Sequence, residues 1–214
     1  TVLEVNLDAM THNVGYFRKF LPMNHRLVAM VKAHSYGAGD IEVAQHMQRL
    51  GVNYLAVAFA DEGITLREKG VKMPIVVLNA DAGSFDKMIS YRLEPEIYSF
   101  HSLDDFERSV ERYGAHGYPV HLKLDTGMHR LGFVEEEIPL LVERLLGSDS
   151  VKVASAFAHL ACADMPEEYL SELQEMYAAP EVESNNRYYN YMAVSAYYNA
   201  ETNTTHFSCC AVIR

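Results

Sequence analysis

The 214-residue sequence has few cysteines, no long apolar run and no excess of positive charge. Its three cysteines, Cys162, Cys209 and Cys210, cannot form a disulfide framework, which favours a reducing cytoplasm as the location. No apolar stretch is long enough to span a bilayer, and the N-terminus lacks the basic and apolar regions of a signal peptide. The formal net charge of -11 argues against a nucleic-acid or membrane-surface partner. The composition, 49% hydrophobic and 22% charged, is that of an ordinary globular protein.

Short apolar segments alternate with amphipathic segments along most of the chain. The predicted strands are Val2–Leu7, Leu27–Val31, Tyr54–Ala58, Ile75–Leu78, Ile97–Phe100, Val120–Leu124 and Val153–Phe157. The predicted helices are Ala9–Leu21, Ile41–Leu50, Asp61–Glu68, Phe85–Tyr91, Leu103–Tyr113 and Glu135–Leu146. Such alternation predicts an α/β fold with a parallel sheet. Periodicity alone does not distinguish a closed barrel from an open doubly wound sheet.

One lysine stands at the end of a predicted buried strand. The apolar run Leu27–Val31 stops at Lys32, and Gly37 and Gly39 follow before a helix that starts near Asp40. In a parallel barrel this places Lys32 on the face that carries active sites. A deprotonated lysine amine can form a Schiff base with an aldehyde, while glycines and a helix start can hold a phosphate. These are the requirements of pyridoxal phosphate. The alternative is a strand-end lysine that only extends into solvent.

Three segments resemble the signatures of one enzyme family. They are VKAHSYGAG at Val31–Gly39, HLKLDTGMHRLGF at His121–Phe133 and AHLACAD at Ala158–Asp164. Their order and spacing are similar to those of the alanine racemases. The resemblance implies an incomplete (β/α)8 barrel that begins at Leu27–Val31. The segment Val2–Leu7 would then belong largely with a second, β-rich domain.

The resemblance also implies roles for individual residues. Lys32 would carry pyridoxal phosphate and exchange a proton at the substrate Cα, and Tyr36 would contact the phosphate. Arg130 would bind the phenolic oxygen of the cofactor and the carboxylate region of the substrate, and His159 would stack on the cofactor ring. Cys210 occupies the place of a phosphate-binding serine, because Cys209-Cys210 replaces the Asn-Ser pair of the family.

Lys123 has two possible interpretations. In the family the matching lysine is often carbamylated, which adds a negative charge that positions the arginine. The alternation of residues on the predicted strand instead allows a simple pairing of Lys123 with Asp125. The histidines show no metal-ligand spacing with acidic partners, so no metal is predicted.

The end of the chain departs from the family pattern. We expect barrel units over residues 1–168 and a divergent remainder of the barrel over 169–214, where Glu181–Thr205 is rich in Tyr and Asn. The last residues, His206–Arg214, loosely resemble a seventh barrel strand. An eighth strand and the second domain have no counterpart. We therefore expect a fragment of a larger racemase chain, inactive by itself.

The expected function is the interconversion of L- and D-alanine for peptidoglycan synthesis, by a cytoplasmic homodimer that completes each active site from both subunits. The chain is also similar to racemase domains that are fused to a ligase of cell-wall synthesis. Two alternatives remain open: another barrel-type amino-acid racemase or decarboxylase, and a single-domain carrier of pyridoxal phosphate without fast catalysis.

Overall fold

The protein is represented by a computed structural model that describes residues 2–21, 25–126, 128–159, 191–199 and 204–211, the last two ranges as backbone only. The strands are β1 (Arg26–Met30), β2 (Tyr54–Val57), β3 (Ile75–Val77), β4 (Glu94–Ile97), β5 (Tyr118–Lys123), β6 (Val151–Phe157), β7 (Tyr191–Asn199) and β8 (Thr204–Ala211). The helices are α1 (Leu7–Phe20), α2 (Lys32–Tyr36), α3 (Asp40–Arg49), α4 (Ala60–Glu68), α5 (Phe85–Ser90), α6 (Phe100–Arg112) and α7 (Ile138–Leu146). Within the described residues, no helix combines the length and apolarity needed to cross a bilayer.

The order of the strands identifies the type of sheet. Strands β1 to β6 are parallel, and each pairs with the next strand in sequence, in the spatial order β6-β5-β4-β3-β2-β1-β7-β8. A doubly wound sheet would reverse this order at a switch point, whereas a barrel does not. The described strands therefore form an incomplete α/β barrel, and the predicted fold class is confirmed.

The two faces of the sheet differ in polarity. On one face, apolar strand residues such as Leu55, Ile75 and Leu122 pack against the helices in one large core. On the opposite face, the described residues include a small apolar cluster of Val28, Tyr54, Ala56 and Val76. On β4 to β6 the same face carries buried polar side chains instead. This inner face is therefore apolar on one side of the barrel and ionisable on the other.

The last two strands differ from the sequence prediction. β7 pairs with β1 in parallel, and β8 pairs with β7 in antiparallel orientation. A parallel seventh barrel strand at His206–Arg214, which the loose resemblance implied, is therefore wrong, because β8 is antiparallel to its neighbour. Only residues 200–203 separate β7 from β8, whereas a parallel crossover needs about a dozen residues or more. The expected domain boundary at 168/169 lies outside the described residues.

Two other strand predictions are corrected. Val2–Leu7 is no strand, because residues 2–6 are exposed coil and α1 begins at Leu7, with Asn6 as its N-cap. The strand predicted at Ile97–Phe100 lies earlier, at Glu94–Ile97, because Ser99 caps the start of α6.

Candidate active site

Three of the sequence-predicted residues follow the carboxyl ends of parallel strands. Lys32 comes two residues after β1, Arg130 lies in the loop after β5, and His159 comes two residues after β6. Carboxyl ends of parallel strands lie along the same edge of a sheet, so these residues share one rim of the barrel. This is the rim on which enzymes of this architecture bind their substrates.

The segment that begins with Lys32 has an unusual backbone. Residues Ala33, His34, Ser35 and Tyr36 all have φ between 52° and 57°, so α2 is a left-handed turn. The Ser35 N–H donates to the Val31 carbonyl at 3.1 Å, and the Gly37 N–H donates to the Ala33 carbonyl at 3.1 Å. For L-residues this conformation costs roughly 1–2 kcal/mol each. The surrounding structure must therefore stabilise the turn.

Two carboxylates from neighbouring helices contact this turn. Asp40 Oδ2 lies 3.0 Å from His34 Nδ1 and comes from the start of α3. Glu62 Oε1 accepts the Ala33 N–H at 2.7 Å and comes from α4. The residue directly after Lys32 is thus held by the next βα unit of the barrel.

The loop that carries Arg130 is closed at its base. The Phe133 N–H donates to the Lys123 carbonyl, and the Asp125 N–H donates to the Phe133 carbonyl, each at 2.9 Å. Asp125 also accepts the His129 N–H at 2.8 Å and lies 3.3 Å from His129 Nδ1. These bonds fix the loop, although the Arg130 side chain itself is exposed.

Gly132 is required at the base of this loop. Its φ is +127°, and an added Cβ would lie 2.8 Å from both the Asp125 nitrogen and the Leu124 carbonyl carbon. We expect Gly132→Ala to lower the free energy of unfolding by about 3 kcal/mol, measured by urea denaturation. Gly147→Ala is the control, because Gly147 has φ -87° and its nearest Cβ neighbours are at 3.7 Å. Equal effects of the two substitutions would contradict this account of the loop.

Ionisable side chains fill the inner face beneath the rim. His121 Nδ1 lies 2.6 Å from Ser155 Oγ, and its Nε2 lies 2.8 Å from Glu94 Oε2. The buried Lys123 donates from Nζ to the Leu124 carbonyl at 2.6 Å, while Asp125 contacts His129. The structure thus places Lys123 inside the barrel, below the loop that carries Arg130.

Glu96 lies on the same inner face. It is opposite His121 in the β4–β5 register and is only 4% exposed. Burial raises the pKa of the Glu96 carboxyl from its ordinary value near 4.5 to about 8, and the positive charges of Lys123 and Arg130 partly oppose this rise. The carboxyl is therefore mostly protonated at neutral pH.

The other predicted residues differ in their surroundings. Tyr36, the last residue of the left-handed turn, is 58% exposed. His159 is half-buried just beyond β6. The backbone of Cys210 pairs with Ala193, which is level with Val28 rather than with the rim. This placement gives no support to phosphate binding by Cys210, which stays a prediction from sequence.

The residues at the rim fit pyridoxal phosphate in two respects. A half-buried primary amine, Lys32, is available for covalent attachment. Two buried hydroxyl oxygens of the described residues, Ser35 Oγ and Thr126 Oγ1, have no hydrogen-bond partner. Buried hydroxyls normally have hydrogen-bond partners. Both can therefore donate a hydrogen bond to a polar ligand at the rim or accept one from it.

Sequence reasoning missed Glu62 and Glu96. Glu62 is the third residue of α4, a position typical of a capping glutamate, but its contact with Ala33 depends on tertiary structure. Glu96 belongs to the polar segment Glu94-Pro95-Glu96, which lies outside the strand predicted at Ile97–Phe100. An alternating acidic pattern before an apolar residue was the available signal.

Comparison with known proteins identifies the family of the chain. Residues 5–210 match the family "Alanine racemase, N-terminal domain". Alanine racemase 2 of Bacillus subtilis is 35% identical over 175 residues, which are 80% of this chain and 44% of that protein. The alanine racemase of a Nostoc species is 38% identical over 178 residues, covering 80% of this chain and 45% of that protein.

A solved structure agrees with the sequence comparison. Alanine racemase from E. faecalis superposes with a TM-score of 0.78 at 30% identity, covering 85% of this chain and 50% of that one. The chain spans less than half the length of each of the two relatives named above. From its strand order, its lysine-bearing rim and these matches, the chain belongs to the alanine racemase N-terminal domain family.

Proposed function

We propose that the protein containing this chain interconverts L- and D-alanine with pyridoxal phosphate attached to Lys32. The main supporting observation is the position of Lys32: it starts a fixed left-handed turn at the rim of a barrel whose relatives are named alanine racemases. Bound pyridoxal phosphate would withdraw the electron pair left at the substrate Cα when its proton is removed.

The residues of this chain would hold the reactants and move one proton. Lys32 Nζ would act as one of two acid–base groups at Cα. Arg130 would supply a permanently charged fork of donors for the cofactor oxygen and the substrate carboxylate. The imidazole of His159 would cover one face of the cofactor ring, and the Tyr36 hydroxyl would bind the phosphate.

Lys123 is proposed as a site of carbamylation. Without carbamylation, the cations Lys123 and Arg130 face Glu96. Burial keeps the carboxyl of Glu96 mostly protonated near neutral pH. A carbamate would replace the Lys123 ammonium with a negative charge. That charge could then orient the guanidinium of Arg130 through charge-assisted hydrogen bonds.

The rest of the active site would come from outside this chain. The chain spans 44–45% of the length of the two relatives named above. We propose that the rest of the protein that contains this chain includes a β domain. A two-fold homodimer would bring a tyrosine of that domain, as the second acid–base group, to the Lys32 of the partner subunit. The proposed role is to supply D-alanine for peptidoglycan precursors in the cytoplasm.

The test uses the full-length protein that contains this chain. Purified protein should racemise L-alanine and D-alanine, measured by chiral chromatography of the product. Borohydride treatment of the cofactor-loaded protein should leave pyridoxyl on the peptide that contains Lys32, identified by mass spectrometry. Racemisation of another amino acid with much higher kcat/KM, or trapping on a different lysine, would refute the proposal.

A further inference from the structure

The two oxygens of the Glu62 carboxylate serve different loops. Oε2 accepts the N–H groups of Ala58 and Phe59 at 2.7 and 3.1 Å, which are local bonds at the start of α4. Oε1 accepts the N–H of Ala33 at 2.7 Å, which is 29 residues away in sequence. Only the Oε2 bonds are needed to cap a helix. The Oε1 bond therefore serves something other than the helix.

The Ala33 N–H is the first donor of a strained segment. It belongs to the residue after Lys32 and opens four consecutive left-handed residues, none of them glycine. Return of Ala33 to an ordinary right-handed conformation would change the direction in which the chain leaves Lys32. A charged acceptor at 2.7 Å opposes that change, since hydrogen bonds to charged groups are stronger than those between neutral groups.

We propose that Glu62 is a positioning residue for Lys32: its Oε1 holds the Ala33 N–H and thereby fixes the backbone from which the reactive amine projects. This inference rests on the proposed function of Lys32 and names a further residue that it requires. The contacts of Glu62 on which the proposal rests are with the backbone N–H groups of Ala33, Ala58 and Phe59. Glu62 acts through the left-handed turn.

The substitution Glu62→Gln separates the two roles of the carboxylate. Glutamine has the same length but a single acceptor oxygen, and the side with two donors, Ala58 and Phe59, competes for it more strongly. The amide NH₂ would then face the Ala33 N–H, donor against donor. We expect residues 33–36 to lose protection against amide hydrogen exchange. Their exchange rates should become at least about tenfold faster in the cofactor-free protein.

The matched control is Glu137→Gln. Glu137 is also the third residue after its cap, and its Oε2 accepts the Val134 N–H at 3.0 Å, but this bond lies in the 3₁₀ turn Glu135–Glu137 that precedes α7. Both variants should keep similar melting temperatures. Only Glu62→Gln should slow the attachment of pyridoxal phosphate, by about 10- to 100-fold, and shift the pH profile of the attachment rate.

A rescue experiment distinguishes positioning from a structural role in α4. Glycine adopts a left-handed conformation without steric cost, so Ala33→Gly in the Glu62→Gln background should recover part of the lost attachment rate. A role confined to α4 would not respond to a change in the turn. Unchanged exchange and attachment in Glu62→Gln, or no recovery with Ala33→Gly, would overturn the proposal.

The two proposals can fail separately. If the parent protein does not attach pyridoxal phosphate at Lys32, the proposed function is refuted. Hydrogen exchange in the cofactor-free protein still decides whether Glu62 fixes the turn. If the parent attaches the cofactor normally and Glu62→Gln does so equally fast, only the role of Glu62 is refuted.

Discussion

Replacing Lys32 with alanine is expected to lower kcat/KM for alanine racemisation by about 10³-fold or more in the full-length protein. The variant loses the covalent attachment of the cofactor and one acid–base group at Cα together, and positioned acid–base groups alone contribute about 10²- to 10⁴-fold. The rate of product formation in each direction measures the loss. Cofactor content after gel filtration, with and without borohydride, measures the loss of attachment.

The control for this experiment is Lys72→Ala. Lys72 is exposed between α4 and β3, away from the rim, and should be dispensable for catalysis. An unchanged melting temperature of the Lys32→Ala protein would show that its backbone is intact. Racemisation within tenfold of the parent, with Lys32 absent, would mean that another group carries the cofactor.

The second large effect is expected in stability rather than in rate, from Glu96→Gln. The folded protein holds a proton on Glu96 up to a pKa of about 8, whereas the unfolded chain releases it near 4.5. Between these values the folded state binds more protons, so the free energy of unfolding decreases as pH rises. Over this range the loss approaches about 5 kcal/mol, at about 1.4 kcal/mol per pH unit.

Glutamine is neutral at every pH and similar in shape, so it avoids this loss. The Glu96→Gln protein should be close to the parent near pH 4.5 and more stable by several kcal/mol at pH 9. Urea denaturation at a series of pH values measures the difference. Glu143→Gln, at an exposed position of α7, is the matched control for the loss of one carboxyl group. Parallel pH profiles for the parent and Glu96→Gln would contradict the pKa assigned to Glu96.

Much of the barrel could be predicted from the sequence because its strands are apolar and its helices are periodic. Lys32 was placed correctly at the end of a strand, since the run Leu27–Val31 ends abruptly there. Gly51 and Gly70 follow the ends of α3 and α4 and have positive φ, a conformation that glycine favours after a helix. These features depend on a few neighbouring residues, and local rules apply to them.

The remaining features depend on contacts that are distant in sequence. Val2–Leu7 has the composition of a strand but no neighbouring strand to pair with in the described structure. The prediction for β4 was three residues too late in the sequence, because Glu94 and Glu96 point into a polar barrel interior. The usual pattern of apolar residues does not hold there. The contact between Glu62 and Ala33 joins two βα units and cannot be recognised within either one.

The left-handed turn after Lys32 has a consequence for protein chemistry. The φ and ψ values of Ala33, His34 and Ser35 are close to the mirror image of those in an ordinary α-helix. A D-amino acid has the opposite steric preference to its L-form, so D-alanine at position 33 would favour the very conformation that L-alanine resists. Incorporated there by semisynthesis, D-alanine should reduce the backbone strain of the folded protein. The segment that holds the reactive amine would then be built from the stereoisomer that the protein is proposed to produce.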